Sequence, residues 1–572
     1  MFDVFSWFSN PVVPVVIIAC LLAVLVLVVV VAARSGGVRA HERVVERWRE
    51  DSERWASPRD VRDLVVPARD PLPEDHVGRL WIGEAHGKQL YAPKYHSVLV
   101  MGPAGSGKTG RVMVREVVEW PGPAAVGSVK GDLLQLTASA RAKHGSRTLV
   151  VDPTGLLPPI PGVTRCAYSP LYGVRSYGDV ERVAKSLAES SKASDPSGDI
   201  RGQRFWDQES SYLLAPLLWA AHTHGYSLPD VAGWVKQTET DDSEIQSLIL
   251  ATGHPKAIED WLHFKGLPAR ETKSSVAATA AVVLAAWGKE EVADTVSIRG
   301  DRVAAGFEIL DIPRFLASDA DTLYLVSPGD VQNEFTAIFE TILNEVLRHI
   351  QLLSHSLGGI PIPHPVLVAV DEAANVAPIR NLDTVLTTVR GMGVCVLTAW
   401  QDMGQISAFY GRDRAMVIVS NHLAQIYLTG AMLNQETLEM VSRAVGQDSF
   451  EEVSTSSSRY NGPSDSTSYR LMDVAPVWWL QHLPDDVAVV IMSRHPAVRA
   501  IVPAYWEDKK LLAKIPKDVS TGFANQYRSG NRTRGNRRRP PSLPGTPTGD
   551  PGARVLGGAT SGDDRPRVLV GR

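Results

Sequence analysis

The stretch from Ser97 to Thr109, SVLVMGPAGSGKT, constrains this chain more than any other. Four apolar residues, Val98 to Met101, run into a glycine-rich loop that closes on Lys108 and Thr109, the pattern G-x-x-x-x-G-K-[ST] of a phosphate-binding loop. The loop Gly102, Pro103, Ala104, Gly105, Ser106 and Gly107 is expected to wrap phosphate oxygens with its backbone N–H groups, its glycines taking turns closed to other residues. Lys108 then reaches the β and γ phosphates, and Thr109 offers its hydroxyl to magnesium. The following helix, with Val112, Val114, Val117 and Val118, turns its positive end toward the anion. ATP and Mg2+ are the expected ligands.

Hydrolysis needs carboxylates as well as a phosphate cradle. The run VLVAVDEAAN ends a buried strand on Asp371 and Glu372, at the carboxyl edge where open α/β sheets bind ligands. Asp371 is expected to hold magnesium through water, and Glu372 to polarise the attacking water. Gln401 ends the next apolar run, VCVLTAW, and reads either as a γ-phosphate sensor or as a surface amide. Arg390, just before Gly391, reads either as an arginine finger for a neighbouring subunit or as a cation at a helix C-terminus.

A chain of 572 residues is too long for one core. Residues 11–33 carry no charge and are dominated by Val, Leu and Ile. As a helix at ~1.5 Å per residue they measure about 35 Å, enough to cross a membrane. Arg34, Arg39, Arg43, Arg47 and Arg49 follow, so the positive-inside bias places residues 1–10 outside and the bulk of the chain in the cytoplasm. Residues 34–77 read as a linker whose Val44, Val45 and Trp48 fit either a helix lying on headgroups or a neighbouring subunit, or a solvated spacer.

The strand runs AAVGSV and RTLVVDP, separated by a helical segment, give βαβ spacing and a parallel sheet. The expected fold is therefore α/β, with a nucleotide-binding domain in two parts, 78–176 and 314–516. Between them residues 177–313 show long helical periodicities with Trp206, Trp219, Trp234, Trp261 and Trp287, and read as an inserted all-α domain. The insertion accounts for the 263 positions that separate Lys108 from Asp371. Ser454 to Tyr469 is Ser-rich and reads as a loop or flexible hairpin. Residues 517–572 are expected to be a disordered basic tail: from Gly522 onward ten Arg face three Asp, an excess of +7 in a chain whose net charge is −4. Cys20, Cys166 and Cys395 lie far apart in apolar surroundings, which excludes a disulfide framework and fits a reducing compartment.

With the N-terminal anchor, GPAGSGKT, WPGPAAVGSVKGDLLQLT, RFWDQESSYLLAPLLWAA, VDEAANVAPIRNLDTVLTTVRGMGV and TAWQD, the chain resembles the type IV coupling proteins of conjugation and type IV secretion, particularly an actinobacterial TraG/TraD-like branch. The resemblance spans roughly residues 80 to 505. It implies a membrane-anchored, RecA-like, hexameric ATPase, with Arg390 as arginine finger and Gln401 as nucleotide sensor. It also implies as partners a relaxase with its single-stranded DNA, or a protein substrate, and the components of a secretion channel. Lys130 and Asp132 match a family motif without a stated physical role. Many members have two transmembrane helices; here one is expected. Arg532, Arg534, Arg537, Arg538 and Arg539 of the tail fit phosphate contacts, anionic membrane or simple solubility. Two other readings stay open: a double-stranded DNA pump of the FtsK/HerA type, and a nucleotide-binding receptor that recruits cargo without doing work.

Overall fold

The computed structural model describes residues 43–67, 76–129, 131–142, 146–190, 200–299, 302–327, 332–374, 379–458, 462–531 and 569–571. The expected span 11–33, Lys130 and the tail arginines 532–539 lie outside them. Among the described residues no helix is long and apolar enough to cross a membrane. The chain divides into two compact units.

The larger unit is built on one mixed sheet. Its strands are β1 (Trp81–Ala85), β2 (Lys88–Tyr91), β3 (Val98–Met101), β4 (Ala124–Ser128), β5 (Thr148–Val151), β6 (Val163–Ala167), β7 (Phe307–Ile309), β8 (Thr322–Val326), β9 (Val366–Val370), β10 (Val394–Trp400), β11 (Ala424–Tyr427), β12 (Val487–Met492) and β13 (Val498–Ile501). They lie in the order β2-β1-β13-β12-β11-β3-β10-β9-β4-β8-β5-β6-β7. From β11 to β7 every neighbour is parallel. The parallel core is legible in the side chains: β3, β4, β5, β8, β9 and β10 are buried at every residue, as strands covered by helices on both faces must be. β12, β13, β1 and β2 extend it by antiparallel pairing. β1 and β2, which precede the phosphate-binding loop in sequence, thus form the far antiparallel edge of the sheet.

Helices follow the parallel strands: α1 (Val114–Glu119) after β3 and α2 (Asp132–Ala142) after β4. The helical insertion leaves the sheet after β6 as α3 (Tyr177–Ser190), α4 (Ile200–His224), α5 (Leu228–Gln237), α6 (Ser243–Ala251), α7 (Pro255–Lys265) and α8 (Arg270–Val283). It re-enters as β7, parallel to β6. Trp261 and Trp287 are fully buried, and Tyr177 donates to Asp260 at 2.8 Å while stacking on His254 at 4.8 Å. The helical segment therefore has its own apolar and aromatic core, yet belongs to the same compact unit as the sheet. Beyond it come α9 (Gln332–Ser356), α10 (Leu382–Thr388), α11 (Met403–Tyr410), α12 (Arg412–Asn421) and α13 (Lys517–Asn531).

Helix α13 falls where the sequence reading places the start of a disordered tail. Ser520 and Ala524 are buried and Val519 and Phe523 half-buried, a stripe at helical spacing, and Tyr505 donates its hydroxyl to the Ser520 carbonyl at 3.3 Å. The Arg and Gly count of the whole tail hides this short stripe.

In the smaller unit the Ser-rich stretch is a long hairpin, Gln447–Ser458 paired with Gly462–Asp473 over twelve registers. The helix 43–51 packs its apolar side on this hairpin. Val45 and Phe450 are buried, with Val44, Trp48 and Met472 half-buried against them, and the Trp48 and Phe450 rings meet edge to face at 5.4 Å. Trp48 Nε1 donates to the Ser449 carbonyl at 3.1 Å and Ser52 Oγ to Asp448 at 2.6 Å. The apolar side of the linker is thus taken up within the chain, and the spacer and headgroup readings give way to a packed helix.

Candidate functional site

The phosphate-binding loop grows directly out of β3. Gly102 N–H donates to the Trp400 carbonyl at 3.1 Å, prolonging the β3–β10 ladder by one residue. A Cβ at Gly102 would stand 2.7 Å from Ser106 Oγ and 3.0 Å from Leu428 Cβ, so no larger residue fits. Gly105 (φ +78°) and Gly107 (φ +86°) take left-handed turns that reverse the loop. The helix that follows opens on a wide turn, Thr109–Met113, before continuing as α1.

Lys108 is buried at 8% exposure and folds back across its own loop, donating to the carbonyls of Gly102 at 2.6 Å and Pro103 at 3.2 Å. Burial lowers its pKa, while Asp371, Glu372 and Asp402 hold its charge in place. Thr109 Oγ1 donates to Asp371 Oδ2 at 2.6 Å. The carboxylate is fixed from the other side by its backbone, Asp371 N–H donating to the Gly127 carbonyl at 2.9 Å. Burial pushes the Asp371 carboxyl up to about 6; the Thr109 hydroxyl opposes, Asp132 and Glu372 push further, and Lys108 draws it down.

The second carboxylate oxygen, Asp371 Oδ1, is buried without a hydrogen-bond partner. An orphaned carboxylate oxygen beside a threonine hydroxyl is the donor set a hard divalent cation takes. Among the described residues no three acidic, histidine or cysteine side chains converge as a metal cage. Magnesium needs none, because water and substrate phosphates complete its shell. Thr109 and Asp371 therefore fit Mg2+, with Asp132 as a further nearby negative charge.

Glu372 stands in the left-handed region at φ +57°, an arrangement that costs a non-glycine residue about 1–3 kcal/mol. The next residue rejoins the sheet, Ala373 N–H donating to the Ala399 carbonyl at 3.1 Å. The turn holds the Glu372 backbone at the carboxyl ends of β9 and β10, next to Asp371. Gln401 follows β10 at the same edge, its N–H donating to Gln405 Oε1 at 2.9 Å. Asp402 caps α11 by accepting from Gln405 N–H at 2.9 Å.

Lys108, Thr109, Asp371, Glu372 and Gln401 are thus gathered at the ends of three adjacent strands, β3, β10 and β9. Arg390 is not among them. It is exposed in the turn Val389–Met392 that precedes β10, at the opposite end of the sheet, where its charge depresses the His96 pKa after burial has already lowered it. Seven positions of extended strand separate Val394 from Gln401, about 23 Å at ~3.3 Å per residue. Asp402 and Leu428 are site-lining residues that sequence reasoning passed over. A carboxylate directly after Gln401 and a residue closing on the loop from β11 become visible only once strand order is known. Asp132, noted without a role, turns out to open α2 with its carboxylate on Leu133 N–H at 2.8 Å, close enough to raise the Asp371 pKa.

Residues 56–526 match the model of the family described as type IV secretory system conjugative DNA transfer. The conjugal transfer protein TraG of Escherichia coli is 25% identical over 449 residues, covering 73% of this chain and 66% of TraG. The protein VirD4 of Agrobacterium fabrum is 22% identical over 477 residues, covering 80% of this chain and 66% of VirD4. The chain thus spans just under two thirds of the length of these relatives. Among solved structures, the fold is similar to the bacterial conjugative coupling protein TrwB in its unbound monoclinic form, with TM-score 0.55 and 16% identity over 78% of this chain and 92% of TrwB. A second TrwB structure, a complex with ADP and Mg2+, superposes with TM-score 0.55 at 17% identity over the same shares of the two chains.

Proposed function

Because the chain belongs to the type IV secretory system conjugative DNA transfer family, we propose that it is a membrane-anchored ATPase that couples ATP hydrolysis to the recruitment and translocation of a substrate through a conjugative secretion channel. The substrate is single-stranded DNA carried by a relaxase, or a protein. The observation that carries the ATPase reading is the 2.6 Å hydrogen bond from Thr109 to Asp371, whose other oxygen is buried and unpartnered beside a lysine aimed across the loop. When bound, Mg2+ supplies charge neutralisation on the β and γ phosphates.

The residues divide the work as follows. Lys108 exchanges its two loop carbonyls for phosphate oxygens, and the backbone N–H groups of the loop line the phosphate chain. Thr109 and Asp371 hold the cation. Glu372 accepts a proton from the attacking water, and Gln401 senses the γ-phosphate. Arg390, remote from its own site, serves the site of a neighbouring subunit in a homo-hexameric ring. The apolar span 11–33 anchors the ring in the cytoplasmic membrane with the bulk of each chain inside, and the basic tail meets phosphates.

The test is Mg2+-dependent ATP hydrolysis by the purified full chain, with and without single-stranded DNA. The reading expects hydrolysis that DNA stimulates and that Lys108→Ala abolishes. A wild-type chain that binds Mg2+-ADP without hydrolysing ATP leaves a receptor in its place.

A further inference from the structure

A cavity of about 540 Å³ lies between the end of β6, the turn 169–175 that leads into α3, the short helix Ile312–Leu316 after β7, and α9. It sits at the carboxyl ends of β6 and β7, on the same edge of the sheet as Lys108 and Asp371, with β4, β8 and β5 between the two places. That edge is where open α/β sheets take their ligands.

Tyr168, the first residue beyond β6, lines the cavity. Its N–H donates to the Thr295 carbonyl at 2.7 Å and its ring lies against Trp287, centroids 6.4 Å apart, so its direction is fixed. Its hydroxyl is buried without a hydrogen-bond partner. Such a group is costly to bury alone, and a ligand that accepts from it removes the cost.

The charges that line the same space are unevenly engaged. Asp179 accepts from Arg175 N–H at 3.2 Å and from Ser176 N–H at 3.0 Å and Oγ at 2.9 Å. Asp311 caps the short helix by accepting from Arg314 N–H at 3.0 Å. Glu345 of α9 takes Arg182 Nη1 at 2.5 Å and Arg348 Nε at 2.9 Å. Every one of these carboxylates is occupied. The guanidiniums are not: Arg182 and Arg348 keep further N–H groups while the carboxylate they share holds them in place, and Arg175 makes no side-chain hydrogen bond or ion pair among the described residues.

We propose that this cavity is a binding site for an organic phosphate, whose oxygens are shared among Arg175, Arg182, Arg348 and the Tyr168 hydroxyl.

Phosphate rather than carboxylate follows from the number of separate donors. A carboxylate offers two oxygens in one plane and is filled by a single guanidinium fork, whereas a phosphate presents three or four in a tetrahedral array. Here donors come from the β6 end, the turn, α3 and α9. The volume falls within the range of small-molecule sites, roughly 300–1,000 Å³, and exceeds the anion alone. Pro170, Leu310, Ile312 and Pro313 supply apolar wall for a carbon body, and the exposed Tyr172 ring a surface for a flat one. A phosphate seated there joins α3 to α9.

The site stands apart from the ATPase reading, so it is tested in the full chain carrying Lys108→Ala, which weakens phosphate binding at the loop. Calorimetric titration with phenyl phosphate should show one site. Adding Tyr168→Phe should weaken it about tenfold or more, the worth of a hydrogen bond to a charged group, and adding Arg175→Gln about two- to fivefold. Tyr168→Phe should also leave the ligand-free chain at least as heat-stable as before, since it removes a hydroxyl that has no partner. A fall in Tm would give that hydroxyl a structural role and overturn the site. Benzoate should bind at least about tenfold more weakly than phenyl phosphate, and equal affinities would overturn the choice of phosphate. A thymidine oligonucleotide that displaces phenyl phosphate places the group on a single strand; one that leaves it bound makes the ligand a free molecule. Absence of phenyl phosphate binding, or binding that neither substitution alters, overturns the proposal.

Discussion

Thr109 and Asp371, 262 positions apart, share a 2.6 Å hydrogen bond that joins the start of the helix after β3 to the end of β9. In it the hydroxyl spends its donor on one carboxylate oxygen and leaves the other buried and bare. Replacing Thr109→Val keeps shape and removes the hydroxyl. Loss of the bond should cost the nucleotide-free protein about 1 kcal/mol. Loss of a cation ligand should lower ADP affinity about tenfold or more in the presence of Mg2+ and leave it nearly unchanged in EDTA. Calorimetric titration of ADP with and without Mg2+ reads both, and equal losses in the two conditions would remove Thr109 from the cation's shell.

Glu372 gives a prediction in which stability and activity move in opposite directions. Its φ of +57° is a conformation that glycine takes freely. Glu372→Gly should therefore raise the thermal stability of the nucleotide-free chain, by about 1 kcal/mol, while abolishing hydrolysis. Glu372→Gln should keep nucleotide binding and lower kcat by about 10²- to 10⁴-fold, the range of a lost general base. A Glu372→Gln variant with wild-type turnover would show that water is activated elsewhere.

How far the sequence could carry this site depended on whether a residue's role is local or set by strand order. Lys108 and Thr109 were legible because the loop that places them is thirteen contiguous residues with a fixed chemistry. Asp371 was legible as the end of an apolar run, and the sheet confirms why: β9 is buried at all five positions and can only end in a loop. Asp402 and Leu428 were not, because nothing in the linear pattern says that β10 and β11 flank β3. The hairpin 447–473 pairs over twelve registers although its middle, Ser454 to Tyr469, has no apolar alternation in the sequence to mark it as strand.

His422 predicts an acid limit for the fold. Its ring is fully buried against β10, with Nε2 3.1 Å from Thr398 Oγ1 and Nδ1 2.8 Å from the Ile418 carbonyl. Burial lowers its pKa to about 4. The folded chain therefore binds this proton less readily than the unfolded chain, whose histidine titrates near ~6.5. Stability from this group is complete above that value and drains away as pH falls toward about 4, by on the order of 3 kcal/mol. Urea titrations between pH 7 and 4.5 should show the fall, less steep in His422→Gln. An equally steep fall in that variant would assign the acid limit to other groups, such as His76, which burial also lowers to about 4.

Arg390 decides whether the site is completed by a neighbour. It is exposed at the amino end of β10, whereas Lys108 sits at the carboxyl end of β3, the strand beside it. No rotamer spans the ~23 Å length of a seven-residue strand, so an Arg390 that acts on phosphate acts on another subunit's. Arg390→Ala should then leave the nucleotide affinity of the isolated chain unchanged and lower kcat of the assembled protein about 10³-fold or more. Mixing supplies the sharper measurement. Arg390→Ala and Lys108→Ala are each expected to be inactive alone. In mixed rings, some sites pair an intact Lys108 from one chain with an intact Arg390 from the next, so activity should return when the two are co-assembled. Mixtures that stay inactive across all ratios, while crosslinking shows that mixed rings form, would leave Arg390 with only its local role at the end of a helix.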